Sequence, residues 1–330
     1  MTRLVSAFSF VCAAVVSIGS LASAQQAAVP RRIGYVSGTG TPAHPGPYFQ
    51  AFQQRLRQLG YSEGKNVALE YRGAEGKIET IPAVVKDLIE RNVDVLVLPL
   101  IAGLRAAQRL TKTIPIVMVT QVDPVATGLV ESLARPGGNI TGIATLQRDL
   151  SGKRLELLSE VVPNLSRVGI LREGNETVAQ MGFKDYESAA RMLKIHVQSL
   201  QVYGSDPNIR QAFETAVKAQ LHAIITITNN PLFRNAKHIA DLAIAHRLPS
   251  VFEGSSWVER GGLLSYSAND LELFGRAAVY VDKILRGAKP ADLPVEQPKK
   301  FELVINVKTA KQIGVVIPPN VLARADRVIR

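Results

Sequence analysis

The stretch IGYVSGTGTPAHPGPYF, Ile33 to Phe49, decides how the chain is read. Ile33 to Val36 make a short apolar strand. A glycine-rich turn follows, and then Phe49, Phe52, Leu56 and Leu59 recur at helical spacing on one face. Strand, glycine turn and helix together often cradle a phosphate on the helix N-terminus, but this turn is not built for a dinucleotide. Gly38-Thr39-Gly40 supplies two glycines of G-x-G-x-x-G, and Ala43 stands at the third position. Pro42, His44, Pro45 and Pro47 crowd the point where a tight turn should open straight into a helix. The acidic residue expected about 20 residues further on is misplaced, because Glu63 falls in a turn before the second strand. No G-x-x-x-x-G-K-[ST] occurs.

The same unit repeats along the chain. Short apolar runs predict strands at Ile33–Val36, Val67–Tyr71, Val93–Pro99, Ile114–Thr120 and Ile140–Ala144. A second series lies at Val168–Leu171, Val197–Val202, Ala223–Thr228, Ser250–Glu253 and Leu263–Tyr266. Helical patterns alternate with them. One is Ile78 to Arg91, with Ile81, Val84, Val85, Leu88 and Ile89 turned inward. Continuous Val/Ile/Leu strands alternating with helices predict parallel sheets covered on both faces. Five strands followed by five more predict an α/β fold of two doubly wound, Rossmann-like lobes. A helix over Leu271–Arg286 precedes a segment with Pro290, Pro294 and Pro298, which favour an extended crossing back between the lobes. The expected division is 31–146 plus 269–298 for the first lobe and 147–268 plus 299–330 for the second. An interlobe hinge and a cleft follow from several crossings.

Composition narrows the function. Arg3, an apolar run from Ala7 to Ile18, and Ala22-Ser23-Ala24 predict a secretory leader over residues 1–24, cleaved after Ala24. Cleavage at that point removes Cys12, the only cysteine, and with it disulfides, cysteine nucleophiles and thiolate metal sites. The formal net charge is +11, but no basic run exceeds Arg31-Arg32 or Lys299-Lys300. Scattered charge on an exported protein reads as a solvated surface and not as a nucleic-acid face. No G-x-S-x-G and no H-E-x-x-H occur, and the five histidines have no ligand spacing. No enzyme chemistry, cofactor or metal is expected.

In open α/β sheets ligands lie beyond the carboxyl ends of the strands. Those ends carry Ser37, Gly38 and Thr39; Ile101 and Ala102; Gln121 and Asp123; and Gln147. In the second half they carry Asn229 and Asn230, then Glu253, Ser255 and Trp257, with Asp270 after the last strand. Hydroxyls and backbone N–H groups suit a carboxylate, whereas Asp123, Glu253 or Asp270 suits an ammonium. Trp257, the only tryptophan, suits an apolar or aromatic group.

Several phrases then stand together in order. They are QLGYSEGKNVALEYR (Gln58–Arg72), DPVATGLVESLARPGGNITG (Asp123–Gly142), SGKRLELLSEVVP (Ser151–Pro163), RGGLLSYS (Arg260–Ser267), VDKILRGAKPADLPVEQPKKFELVINVKTAKQIG (Val281–Gly314) and IPPNVLARADRVI (Ile317–Ile329). The chain resembles ABC transporter substrate-binding proteins of the tryptophan/tyrosine-binding type, a periplasmic-binding-protein-like family. The resemblance implies a type I-like pair of lobes and a monomer in the periplasm. It implies capture of a small polar or aromatic solute in the cleft and delivery to an inner-membrane ABC permease. A sensory role feeding a membrane receptor, or an exported hydrolase, is the alternative. One departure bears on the solute. Where such proteins often carry Gly-Thr or Gly-Ser after the third strand, this chain has Leu100-Ile101-Ala102-Gly103. That removes a hydroxyl from a carboxylate-binding corner and points to a more apolar or differently charged solute.

Overall fold

The computed structural model describes residues 30–38, 40–145, 150–175, 177–204 and 208–330. The expected leader, Thr39 and Gln147 lie outside them. Two sheets organise the chain. The first holds β1 (Arg31–Ser37), β2 (Val67–Gly73), β3 (Val95–Leu98), β4 (Ile116–Thr120) and β5 (Ile140–Ala144) in the order β2-β1-β3-β4-β5. All its pairings are parallel. β3 and β4 are buried throughout, as strands covered by helices on both faces must be.

The second sheet holds β6 (Arg167–Glu173), β7 (His196–Val202), β8 (Ala223–Thr226), β9 (Ser250–Phe252) and β10 (Leu264–Ala268). Beyond them come β11 (Phe301–Asn306) and β12 (Arg327–Ile329), giving the order β12-β11-β10-β9-β8-β6-β7. Its first five strands repeat the 2-1-3-4-5 order of the first sheet. The last two were not expected from the sequence. β11 runs antiparallel to β10, with Ala268 opposite Phe301 and Leu264 opposite Ile305. The physical reason lies in the route of the chain. It returns from the first lobe beside the carboxyl end of β10, and pairing at once means running back down that strand.

The helices follow the apolar patterns. α1 (Gly46–Gln58) buries Phe49, Phe52 and Leu56, and α2 (Ile81–Glu90) buries Ile81, Val85 and Leu88. α3 (Ile101–Leu110) leads away from the end of β3, and α4 (Ser151–Val161) opens the second lobe. α5 (Thr177–Met192) and α6 (Ile209–Lys218) cover the second sheet, with short α7 (Asn230–Arg234), α8 (Ala236–Ala245) and α9 (Ser255–Glu259) between its later strands. α10 (Asp270–Leu285) crosses back and packs along α1 through Leu273, Phe274, Ala277 and Val281. α11 (Val307–Ile313) and α12 (Pro319–Leu322) complete the second lobe.

Four apolar clusters form among the described residues, two centred on each sheet. The one around α1 and α10 also takes in Ala268 at the end of β10 and Phe301 at the start of β11, where the chain crosses between the lobes. The proline-rich crossing is stitched to the first sheet. Ala144 N–H donates to Glu296 O at 2.9 Å, and Glu296 N–H donates to Gly142 O at 2.9 Å. Asn269 Nδ2 donates to Glu302 Oε1 at 2.8 Å, tying two crossings together.

Candidate functional site

Because both sheets share one strand order, each has a switch point between its first and third strands. The two switch points face each other across a cleft of about 520 Å³. Ser37 and Gly38 after β1, and Pro99 to Ala102 after β3, line it from the first lobe. Glu173 after β6, and Ile227 to Asn229 after β8, line it from the second. The volume falls within the roughly 300–1,000 Å³ of small-molecule sites.

The opening turn has two tasks. Gly38 lines the cleft, whereas Gly40 shapes the chain. Gly40 has φ +86°, and its carbonyl oxygen would lie 2.0 Å from a Cβ on Gly73. The end of β2 is therefore kept free of a side chain so that this loop can pack on it.

The first-lobe wall is aromatic. Tyr35 contacts Phe49, Phe52, Tyr71 and Phe274, with ring centroids 4.9–6.3 Å apart. Tyr48 stacks on Phe274 at 5.0 Å. Tyr35, Tyr48 and Phe274 all face the cleft. Tyr48 Oη donates to Asp270 Oδ2 at 3.2 Å. Asp270 begins α10, and among the described residues no cationic side chain pairs with it. Burial pushes its carboxyl up to about 6; the Tyr48 bond partly offsets this and nearby Glu302 adds to it.

The second-lobe wall carries a carboxylate of another kind. Glu253 Oε1 accepts from Arg154 Nη1 at 3.1 Å, and Oε2 accepts from Thr228 N–H at 2.7 Å. Arg154 is fully buried on α4. It donates from Nε to Tyr266 O at 3.0 Å and from Nη1 to Tyr186 Oη at 3.3 Å. Burial raises the Glu253 pKa, and the Arg154 guanidinium and the Thr228 N–H oppose that rise. Trp257 stacks on Phe252 at 4.9 Å and meets Phe233 edge-on at 5.7 Å. With 1 % of its surface exposed it is a pillar beneath the cleft wall, not a lid over it.

Of the positions expected from the sequence, Ser37, Gly38, Ile101, Ala102, Gln121, Asn229, Glu253, Trp257 and Asp270 line this one cleft. Asp123 does not: its Oδ1 accepts from Val125 N–H at 2.8 Å and Ala126 N–H at 3.1 Å, closing the turn after β4. Ser255 lines a smaller neighbouring groove with Pro47 and Glu302. Asn230 opens α7, and its side chain is outside the described set. Glu173, at the carboxyl end of β6, also lines the cleft, and Tyr35, Tyr48, Phe274, Tyr186 and Phe233 line it from positions that the strand-end rule does not reach. Among the described lining residues there is no Lys, Arg or His. No group of His, Cys, Asp and Glu among the described residues is arranged to hold a metal ion.

The comparisons with known proteins agree with this architecture. The chain is 24% identical over 265 residues to a tyrosine-binding protein of Clostridioides difficile, covering 80% of this chain and 75% of that one. It superposes with a TM-score of 0.83 and 28% identity on a conserved domain protein from Vibrio cholerae, over 91% of this chain and all of the other. A Streptococcus pneumoniae domain solved with L-Trp superposes with a TM-score of 0.81 and 24% identity, over 91% of this chain and all of the other. Residues 43–329 match the family model of ABC transporter substrate binding proteins, and the chain belongs to that family.

Proposed function

We propose that the chain is an extracytoplasmic solute-binding protein. It takes a small solute with an amine and a flat apolar group between its lobes and hands it to an ABC-type permease. The observation that carries this reading is the charge and texture of the cleft. Aromatic side chains line both walls, and among the described residues Asp270 has no cationic partner and the lining includes no cationic side chain. An ammonium gains from a carboxylate and from aromatic faces together. The corner after β3 is apolar, so a solute carboxylate would have to rely on backbone N–H groups at the start of α3 and on hydroxyls such as Ser37.

The relatives named for tyrosine and L-Trp support an aromatic amino acid or its amine. Family members work outside the cytoplasmic membrane, which agrees with the leader expected over residues 1–24. Among the described residues no helix is long and apolar enough to cross a membrane.

Three probes test the reading: L-tryptophan, tryptamine and indole-3-propionate. Thermal shift should rise with the first two by mass action and stay flat with the third. Stabilisation by indole-3-propionate alone would defeat the amine requirement. Transport in vesicles with the cognate permease, lost when the binding protein is omitted, tests delivery.

A further inference from the structure

The mouth of the cleft is crossed by a side chain that is not among the cleft-lining residues. Arg234 ends α7 on the second lobe and is exposed. Its Nη1 donates to the carbonyl oxygen of Gly76, in the turn after β2 on the first lobe, at 3.4 Å. The bond is long, but the contact is broad. A Cβ at Gly76 would stand 2.9 Å from Arg234 Cδ, 3.0 Å from Nε and 3.2 Å from Cζ. The arginine therefore lies flat on a backbone that has no side chain to lift it. Gly76 also has φ +81°, a conformation that glycine adopts without steric cost.

Both ends of this contact are fixed to cleft walls. On the first lobe, Ala74 N–H donates to Ser37 O at 2.8 Å and Gly76 N–H to Gly38 O at 2.7 Å. Ser37 and Gly38 line the cleft, so the turn moves with that wall. On the second lobe, Asn229 Oδ1 accepts from Leu232 N–H at 3.0 Å and caps α7. Phe233, next to Arg234, is held between the edge of Trp257 at 5.7 Å and the guanidinium of Arg260 at 4.4 Å. Asn229, Phe233 and Trp257 line the cleft.

We propose that Arg234 is a positioning residue for solute binding, forming with Gly76 a clasp across the cleft mouth that holds the lobes together without touching the solute. An exposed charged contact adds little to folding stability. This one exists only when the lobes are together, so its whole free energy falls on the open–closed equilibrium. Apparent solute affinity scales with the population of the binding-competent state, and loss of the clasp appears mainly in the dissociation rate. The affinity consequence rests on the cleft being the solute site; the clasp itself does not.

The test is small-angle scattering of the full chain without solute, for wild type, Arg234→Ala, Arg234→Lys and a control, Arg324→Ala. Arg324 pairs with Glu160 within the second lobe. Arg234→Ala should show a larger radius of gyration than wild type at an unchanged melting temperature. Arg234→Lys should fall between them, and Arg324→Ala should match wild type. With L-tryptophan as the probe, Arg234→Ala should dissociate about three- to tenfold faster. Indistinguishable scattering from wild type and Arg234→Ala overturns the clasp, whatever L-tryptophan does. If scattering separates the two proteins but L-tryptophan binds neither, the clasp stands and the solute reading fails.

Discussion

The two cleft walls share a strand order and differ in how they treat a carboxylate. In the second lobe Glu253 is backed by a buried guanidinium, and both of its oxygens are occupied. In the first lobe Asp270 accepts from the Tyr48 hydroxyl and has a second acid, Glu302, nearby. The topology is repeated, while the electrostatics come from helices that the repeat does not constrain. A paired carboxylate holds a wall together, whereas an acid without a counter-ion leaves room for a cation from outside.

The sharpest way to break this contrast is to remove the counter-ion. Arg154→Met leaves Glu253 buried and unpaired and should cost about 3–5 kcal/mol of stability in urea denaturation. The double variant Arg154→Met/Glu253→Leu should recover most of that loss. If the single variant is harmless, the pair does not hold the wall. Next in size is Asp270→Asn, which should weaken L-tryptophan about 30-fold by calorimetry, or about 2 kcal/mol. A greater loss from Glu253→Gln would reverse the assignment of the two acids.

The pH dependence is expected to be smaller. The carboxyl of Asp270 is raised from 3.8 to about 6 in the folded chain. Between those values the native state holds a proton that the unfolded state has released. Its contribution therefore stabilises at low pH and is lost as pH rises through about 6. Since the side chain is half-buried and faces the cleft, we expect about 1–2 kcal/mol. Melting curves of wild type and Asp270→Asn should diverge over that window, and parallel curves would refute the assignment. Affinity for an amine should move the opposite way, falling as pH drops through about 6. Smallest is Tyr48→Phe. Losing the hydroxyl donor should move the Asp270 midpoint further up, by an effect of about 0.5–1 kcal/mol. An unchanged midpoint in NMR titration would show that the hydroxyl does not tune the acid.

Much of the fold was legible because buried parallel strands write themselves as unbroken Val/Ile/Leu runs, as Val95–Leu98 does. β11 was hidden because its pairing depends on where the chain re-enters the sheet, and the prolines before it read as a crossing. β12 has three residues, too few for a pattern. At the cleft, residues on strand ends could be found by a general rule, but Tyr48, Arg154, Tyr186 and Phe274 come from helices. One of them left a signal. In α4 the buried positions Ser151, Arg154, Leu155 and Leu158 form one helical stripe. A charge on such a stripe announces a buried partner. Asp123 shows the converse: an acid at a strand end can be occupied by its own turn.

The four apolar clusters bear on how such a molecule can gape. The greasy contact between the halves is confined to the crossings, where Ala268 and Phe301 join the first half's cluster, so the mouth can widen while each half's own scaffold stays whole. Across the rim the halves touch through Arg234 and Gly76, and at the connecting ribbons through Asn269 and Glu302. On the proposed reading, a guest that bridges the halves works against a soft spring, and modest changes at the rim retune how long it stays.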